Sequence, residues 1–323
     1  MIRGLVRKVV NIIKAAIHLS IRVICRVVLL KRILRWLVRK VLHSKNNLGG
    51  LDRIMTSLSS VIPIDDIDNF EDAGMGINVV TKPDDHHVVA TTYWRGFGFI
   101  DAGTVAVFCE RARFANTILD IGANWGYYTL LAGSVAPNAR IVAFEPHPLW
   151  FQELKRNVTA NRFENIQVEN LALSDQCGNS SFYLGSSPST SSLVKEYHDK
   201  YDSTEINVNT ITLDEYMRDN SQNGNKMIDL IKLDIEFHEG AMLAGAKSII
   251  KKYNPDIICE VIPDSDGTYN YEYRTANREA IMDILGKLGY SFYWISDCGL
   301  VKENILKGHY PLSNYLFTTQ SDL

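Results

Sequence analysis

Residues 117–323 read as an α/β domain, with a mainly parallel sheet covered by helices on both faces. Three observations predict this. Strand-length apolar runs alternate with helix-length segments from Thr117 onward. A turn carrying two glycines, Asp120-Ile121-Gly122-Ala123-Asn124-Trp125-Gly126, closes the first run. An acid, Glu145, closes the second, about 20 residues later. In such sheets ligands sit beyond the carboxyl ends of the strands, so these two ends mark the expected site.

In chain order, strands are expected over 118–121, 140–144, 166–171, 228–235, 256–262, 290–295 and 315–319. Helices are expected over roughly 125–135, 148–161, 239–252 and 276–288. Residues 46–116 form a connector and the approach to this core. They begin with Gly49-Gly50, a serine-rich stretch and the acidic run Asp65-Asp66-Ile67-Asp68. The division expected is therefore 1–45 as an arm, 46–116 as connector and approach, and 117–323 as the catalytic domain.

The 323 residues are 46% hydrophobic and 22% charged, which excludes a disordered or collagen-like chain. The net charge of −3 hides an asymmetry. Twelve of the 34 bases lie in residues 1–45, which hold no acid, leaving 22 bases against 37 acids in the rest. Cys25, Cys109, Cys177, Cys259 and Cys298 are scattered and odd in number, without metal-ligand spacing. They support neither a disulfide framework nor a metal site and suit a reducing, cytoplasmic interior.

On a helical wheel Arg3, Arg7, Asn11, Lys14, His18, Arg22, Arg32, Arg35, Arg39 and His43 share one side of the arm. Ile13, Ile17, Ile24, Val27, Leu34, Val38 and Val41 fall largely on the other, with Lys31 and Lys45 intruding. The longest stretch without Lys or Arg, 15–21, is too short to span a bilayer. A wide apolar face beside bases suits an anionic membrane surface, with the protein held there peripherally. A helix packed on the body, or a mitochondrial targeting segment, fits the same composition. Nucleic acid is the weaker partner, because Trp36 is the arm's only aromatic residue other than histidine.

The glycine turn fails as a dinucleotide fingerprint. Its pattern is Gly-x-x-x-Gly, and Asp120 before it would repel a phosphate and welcome a cation. Glu145 is placed to accept hydrogen bonds from ribose hydroxyls. An adenosine ligand without phosphate and with positive charge meets both conditions, and S-adenosylmethionine is one.

The sequence resembles the FkbM-type S-adenosylmethionine-dependent methyltransferases in five ordered stretches. These begin at Asp120 (Asp-Ile-Gly-Ala-Asn-Trp-Gly), Ala143 (Ala-Phe-Glu-Pro), Asn170 (Asn-Leu-Ala-Leu-Ser-Asp), Thr212 (Thr-Leu-Asp) and Ile231 (Ile-Lys-Leu-Asp-Ile-Glu-Phe-His-Glu). The resemblance implies a class I methyltransferase (Rossmann-like) fold of seven strands, the last antiparallel, and O-methylation of a sugar, glycan or related small molecule. It implies that Asp120, Gly122, Asn124 and Gly126 line the methionine side of the cofactor. Glu145 would hold the ribose, and Ala172, Leu173 and Ser174 would flank adenine. Asp234 and Glu236 would stand beside the transferred methyl.

His238 lies close to these acids, and its intrinsic pKa of about 6.5 suits proton transfer. Asp234, Glu236 and His238 are therefore the catalytic candidates, with Glu236 or Asp234 the expected acid/base. The family pattern carries glycine where this chain has Phe237. Two alternatives follow: a cofactor-binding but inactive module tethered to a membrane, and a nucleotide-dependent oxidoreductase. His147 and Glu260 lie near strand ends, the serine-rich stretch 186–192 reads as a lid or an insertion, and Tyr269 to Arg274 offer aromatics for stacking on a sugar.

Overall fold

The computed structural model describes residues 28–43, 50–65, 67, 69–72, 74–82, 86–185, 191–195, 204–219, 227–262, 271–309 and 313–320. The arm up to residue 27, residues 186–190 of the serine-rich stretch, and Tyr269 lie outside them. The chain divides into two compact units, Met1–Ile100 and Asp101–Leu323.

In the first unit α1 (Val28–Leu42) and α2 (Gly50–Ser59) precede a short hairpin, β1 (Phe70–Glu71) with β2 (Asn78–Val79), and then α3 (His87–Arg95). Lys, Arg and Leu are good helix formers, and α1 contains no glycine or proline to break it. Its packed face runs through Arg35, Val38 and Leu42, all buried. The opposite face carries Leu30, Ile33, Trp36 and Leu37, each more than 40% exposed.

This corrects the division expected from the helical wheel. Arg35 is 4% exposed, and its Nε donates to the Pro63 carbonyl at 2.9 Å. Arg39 donates to the Glu71 carbonyl at 3.0 Å and lies 4.5 Å from the centre of the Tyr93 ring. Lys31 pairs with Asp65 at 3.2 Å. A long arginine stem packs like an apolar chain, while its guanidinium is satisfied by carbonyls and aromatic faces. A wheel that scores arginine only as polar misplaces this face. Among the described residues, no helix is long and apolar enough to cross a membrane.

The second unit opens with α4 (Ala102–Ala112), capped by the Asp101 carboxylate, which accepts the Thr104 N–H. There follow β3 (Thr117–Ile121), α5 (Tyr127–Val135), β4 (Arg140–Phe144), α6 (Pro148–Ala160), β5 (Ile166–Glu169), β6 (Ala172–Leu173), β7 (Gly178–Leu184) and β8 (Thr204–Ile211). The chain continues through α7 (Leu213–Asp219), β9 (Leu230–Leu233), α8 (Glu239–Ala244), α9 (Lys247–Tyr253) and β10 (Asp256–Glu260). It ends with α10 (Tyr271–Lys287), β11 (Ser291–Ser296), β12 (Gly299–Glu303) and β13 (Asn314–Thr318).

The main sheet runs β12-β11-β13-β10-β9-β3-β4-β5. Pairs from β10 to β5 are parallel, and β13 is antiparallel to both its neighbours. This is the expected α/β class I methyltransferase arrangement with one correction: among the described residues the sheet has eight strands, because the hairpin partner β12 extends the edge beyond β11. A second, three-stranded sheet, β6-β8-β7, was not anticipated. Its longer strands, β7 and β8, are mostly exposed or half-buried, and polar residues such as Asn179, Ser180, Ser181, Asn207 and Asn209 leave them without an apolar period.

The helix expected over 239–252 is two helices. A Cβ on Gly245 would lie 2.1 Å from the Ser174 carbonyl, so the chain passes there as bare backbone and turns. The core between sheet and helices is built from β3, β4, β9 and β10, including Leu119, Phe144, Ile231, Leu233 and Ile257. The chain leaves β3 toward β4 and β5 and later returns on its other side as β9 and β10. The carboxyl ends of β3 and β9 therefore flank the topological switch point.

Candidate active site

Two chain turns make this end of the sheet. Gly122 has φ +85°, and a Cβ there would stand 1.9 Å from the Asp234 carbonyl. Only glycine lets the ends of β3 and β9 approach so closely. Gly126, at φ +104°, starts α5, and Asn124 takes φ +53° between them, a conformation that asparagine tolerates better than most residues. α5 opens directly after this turn, so its first backbone N–H groups lie at a helix N-terminus.

Asp120 is 3% exposed at the end of β3, and its carboxylate accepts the Thr129 hydroxyl at 2.5 Å. Burial pushes its pKa up to about 6, against the hydrogen bond and the nearby Lys232. Glu145 is 5% exposed just past β4 and is fixed by two backbone donors, Asn124 N–H at 2.7 Å and His147 N–H at 2.8 Å. Burial still drives it up to about 7. Asn124 thus ties the glycine turn to Glu145. Asn170 clamps the same corner by donating to the Glu145 and Pro146 carbonyls. His147 caps α6: its Nδ1 accepts the Leu149 N–H, and Pro148 follows as first helical residue.

Ala172 and Leu173 are buried in β6, and Ser174 follows them. The Ser174 hydroxyl meets His238 Nε2 at 2.9 Å. The His238 ring is thereby committed to Ser174, and burial lowers its pKa. The structure places it beside the segment after β6.

Asp234, Glu236 and Glu260 do come together. One carboxylate oxygen of each lies within 4.8 Å of the others, at the carboxyl ends of β9 and β10. The backbone that brings them there is unusual: Glu236 and Phe237 both have positive φ, +53° and +73°. Phe237 occupies the family's glycine position and keeps the left-handed turn. Its ring is 4% exposed, with the Arg274 guanidinium 4.9 Å from its centre. The Ser192 hydroxyl donates to the Glu236 carbonyl at 2.6 Å. Glu239 anchors the turn from below, accepting the Ile235 N–H at 3.1 Å and the Asn277 amide at 2.7 Å. Burial pushes it up to about 7.

Lys232 is the residue that sequence reasoning passed over. It is 1% exposed within β9, its Nζ lies 3.2 Å from Asp234 Oδ2, and the Tyr128 ring lies beneath at 4.9 Å. The signal was present, since a lysine interrupts the apolar run Leu230-Ile231-Lys232-Leu233. Burial opposes its charge, yet Asp234 and Glu260 outweigh burial and hold its pKa above the ordinary lysine value. A separate pocket of about 280 Å³, lined by Arg111, Phe114, Asp229 and Asp256 among others, opens at the opposite, amino ends of the strands.

The donor set fits a cationic adenosine ligand: two buried acids at adjoining strand ends, a glycine turn and a helix N-terminus. Comparison with known proteins agrees with this chemistry. The AMB antimetabolite synthetase AmbE of Pseudomonas aeruginosa is 27% identical over 208 residues, covering 54% of this chain and 9% of its own. Methyltransferase sdnD of Sordaria araneosa is 28% identical over 153 residues, 40% of this chain and 59% of its own. This chain therefore spans less than two thirds of either relative. Among solved structures, methyltransferase FkbM from Methylobacillus flagellatus aligns at 16% identity and TM-score 0.39, covering 73% of this chain and 56% of that one. An O-methyltransferase from Bacillus cereus in complex with SAH aligns at 13% identity and TM-score 0.40, covering 67% and 79%. The family model described as the methyltransferase FkbM domain matches residues 120–292, more than half of the chain, including the carboxyl ends of β3, β4, β9 and β10. The protein belongs to the FkbM-type methyltransferases, whose methyl donor is S-adenosylmethionine.

Proposed function

We propose that this methyltransferase acts on a hydroxyl group of a sugar, glycan or related small molecule. The observation that carries this reading is the meeting of Asp234, Glu236 and Glu260 at the end of β9 and β10, beside the glycine turn. Half-buried carboxylates hydrogen-bond acceptor hydroxyls and can take a proton from one. S-adenosylmethionine supplies a methyl group on a sulfonium, and the protein's part is to hold an acceptor oxygen in line with it.

In this reading Asp120, Gly122, Asn124 and Gly126 line the methionine portion, Glu145 takes the ribose hydroxyls, and Ala172, Leu173 and Ser174 flank the adenine. Asp234 or Glu236 serves as base. His238, bonded to Ser174, supports the adenine side instead of taking the acceptor's proton. Methyl-release assays on a panel of sugars, glycans and hydroxylated small molecules, followed by mass spectrometry of the product, test it. Methylation confined to amine or carbon acceptors would sink the O-methyl reading. Binding of S-adenosylmethionine with no turnover on any acceptor would favour the inactive-module alternative, to which Phe237 points; family membership excludes the oxidoreductase.

We further propose that the arm associates peripherally with a membrane, a reading motivated by the exposed apolar face of α1. With Arg35, Arg39 and Lys31 turned inward, α1 presents Leu30, Ile33, Trp36 and Leu37 outward. Lys40 Nζ lies 4.9 Å from the centre of the Trp36 ring. Residues 1–45 contain no acid. An apolar, tryptophan-bearing face flanked by bases suits a bilayer of anionic lipid. Equal binding to such vesicles by the full chain and by a chain starting at Asn46 would overturn this.

A further inference from the structure

We propose that Lys232, Asp234 and Glu260 form one proton-handling unit, in which Asp234 is the general base and Lys232 and Glu260 are positioning residues that fix its carboxylate. This rests on the O-methyl reading above. Lys232 approaches one Asp234 oxygen at 3.2 Å from within β9. Glu260, at the end of the adjoining β10, brings a carboxylate oxygen within 4.8 Å of one on Asp234. Register explains the meeting: β9 and β10 pair in parallel with Leu233 opposite Cys259, so the next residues, Asp234 and Glu260, emerge side by side. Two carboxyls this close repel each other when both are ionised, which favours keeping a proton on one of them. Packing around the Glu260 carboxyl and the Asp234 charge both push its pKa well up, so Glu260 is the member that carries the proton.

The other titratable groups facing this trio are Asp120 from β3, Tyr128 from α5, Glu236 from the turn after β9, Glu239 from the start of α8, and Cys259 from β10. Burial and the surrounding acids raise Tyr128 and Cys259 well above their ordinary values, so both remain neutral. The Lys232 ammonium supplies positive charge inside this acid cluster. In the transfer step the acceptor O–H bond breaks and its proton passes to Asp234. The electron pair left on oxygen forms the new bond to the methyl carbon, while the carbon–sulfur pair remains on sulfur.

The test is a carbon-13 NMR titration of glutamate carboxyls in the full-length protein, which needs no acceptor. Glu145 and Glu239 are expected to titrate near 7 and one further glutamate above them, whose resonance should vanish in Glu260→Gln. Asp234→Asn removes a negative neighbour and should let Glu260 ionise at lower pH; Lys232→Met removes a positive one and should shift it to higher pH. If Lys232→Met does not fold, the wild-type and Asp234→Asn titrations still decide. A Glu260 ionised at pH 7, or one unmoved by Asp234→Asn, overturns the unit. With a reactive acceptor in hand, Lys232→Met should lower kcat at least tenfold, as expected for a disturbed general base, with KM for S-adenosylmethionine little changed. If the titration signature is present while every hydroxyl acceptor fails, the unit stands and the O-methyl reading falls.

Discussion

The two units treat charge differently. In the first, arginines on carbonyls and rings carry the packing: buried Arg35 on the Pro63 carbonyl, and half-buried Arg39 between the Glu71 carbonyl and the Tyr93 ring. In the second, acids predominate among the described buried charged groups, around a single buried lysine, Lys232, and burial raises Asp120, Glu145, Glu239 and Glu260. Guanidinium groups set on carbonyls and rings help hold a fold together. Acids kept unhappy at adjoining strand ends store a preference for a positive ligand, and such perturbed groups cluster where function is carried out.

The sharpest way to break this contrast is at the turn that brings the acids together. Gly122→Ala forces a Cβ against the Asp234 carbonyl at a positive φ and should cost about 3 kcal/mol of stability, combining overpacking with backbone strain. Denaturant unfolding would measure the loss, and calorimetry should find S-adenosylmethionine binding abolished.

Glu145→Gln keeps the shape and removes the charge. Hydrogen bonds to a charged group are worth about 1.5–3 kcal/mol, so S-adenosylmethionine affinity should drop roughly 10- to 100-fold while the melting temperature holds or rises. An unchanged Kd would remove Glu145 from the ribose.

The same acids set a pH dependence. In the folded protein Asp120 retains its proton up to about 6 and Glu145 up to about 7, whereas an unfolded chain loses both in the ordinary carboxylate range. Their contribution to stability is therefore complete at acidic pH and disappears as pH rises toward 7, in the absence of ligand. Binding of the cationic donor should strengthen over that same interval as the acids ionise. Flat calorimetric affinity from pH 5.5 to 8 would contradict this.

Within α1 the two faces should separate cleanly. Arg35→Ala leaves a buried carbonyl without its donor and should destabilise the first unit by about 1–3 kcal/mol without weakening vesicle binding. Trp36→Ser with Leu37→Ser should do the reverse, reducing affinity for anionic vesicles about tenfold or more at unchanged stability. The smallest effect is expected at Phe237. Phe237→Gly loses a buried ring but relieves a positive φ, so it should cost only about 1–2 kcal/mol, below the 3–5 typical of deleting a buried phenylalanine.

Much of the catalytic unit was legible beforehand. The strands β3, β4, β9, β10, β11 and β13 each carry an apolar run long enough to stand out, and Asp120 and Glu145 close two of them. The three-stranded sheet and β12 were not legible, because half-exposed strands rich in Asn, Ser and Thr lack an apolar period. The faces of α1 were misjudged because a sequence pattern records that arginine is charged, while only its neighbours decide whether that charge meets water, a carbonyl or a ring.

The order of residues by itself determined the alternation of strands and helices, the glycine turn, the strand-end acids and hence the family and its donor. These are local signals, readable within a few residues. Tertiary structure alone decided that Lys232 reaches Asp234, that Glu260 stands against it from the next strand, and that His238 turns to Ser174. Those pairings depend on strand register and on positive φ at Glu236 and Phe237, which no single stretch of sequence contains.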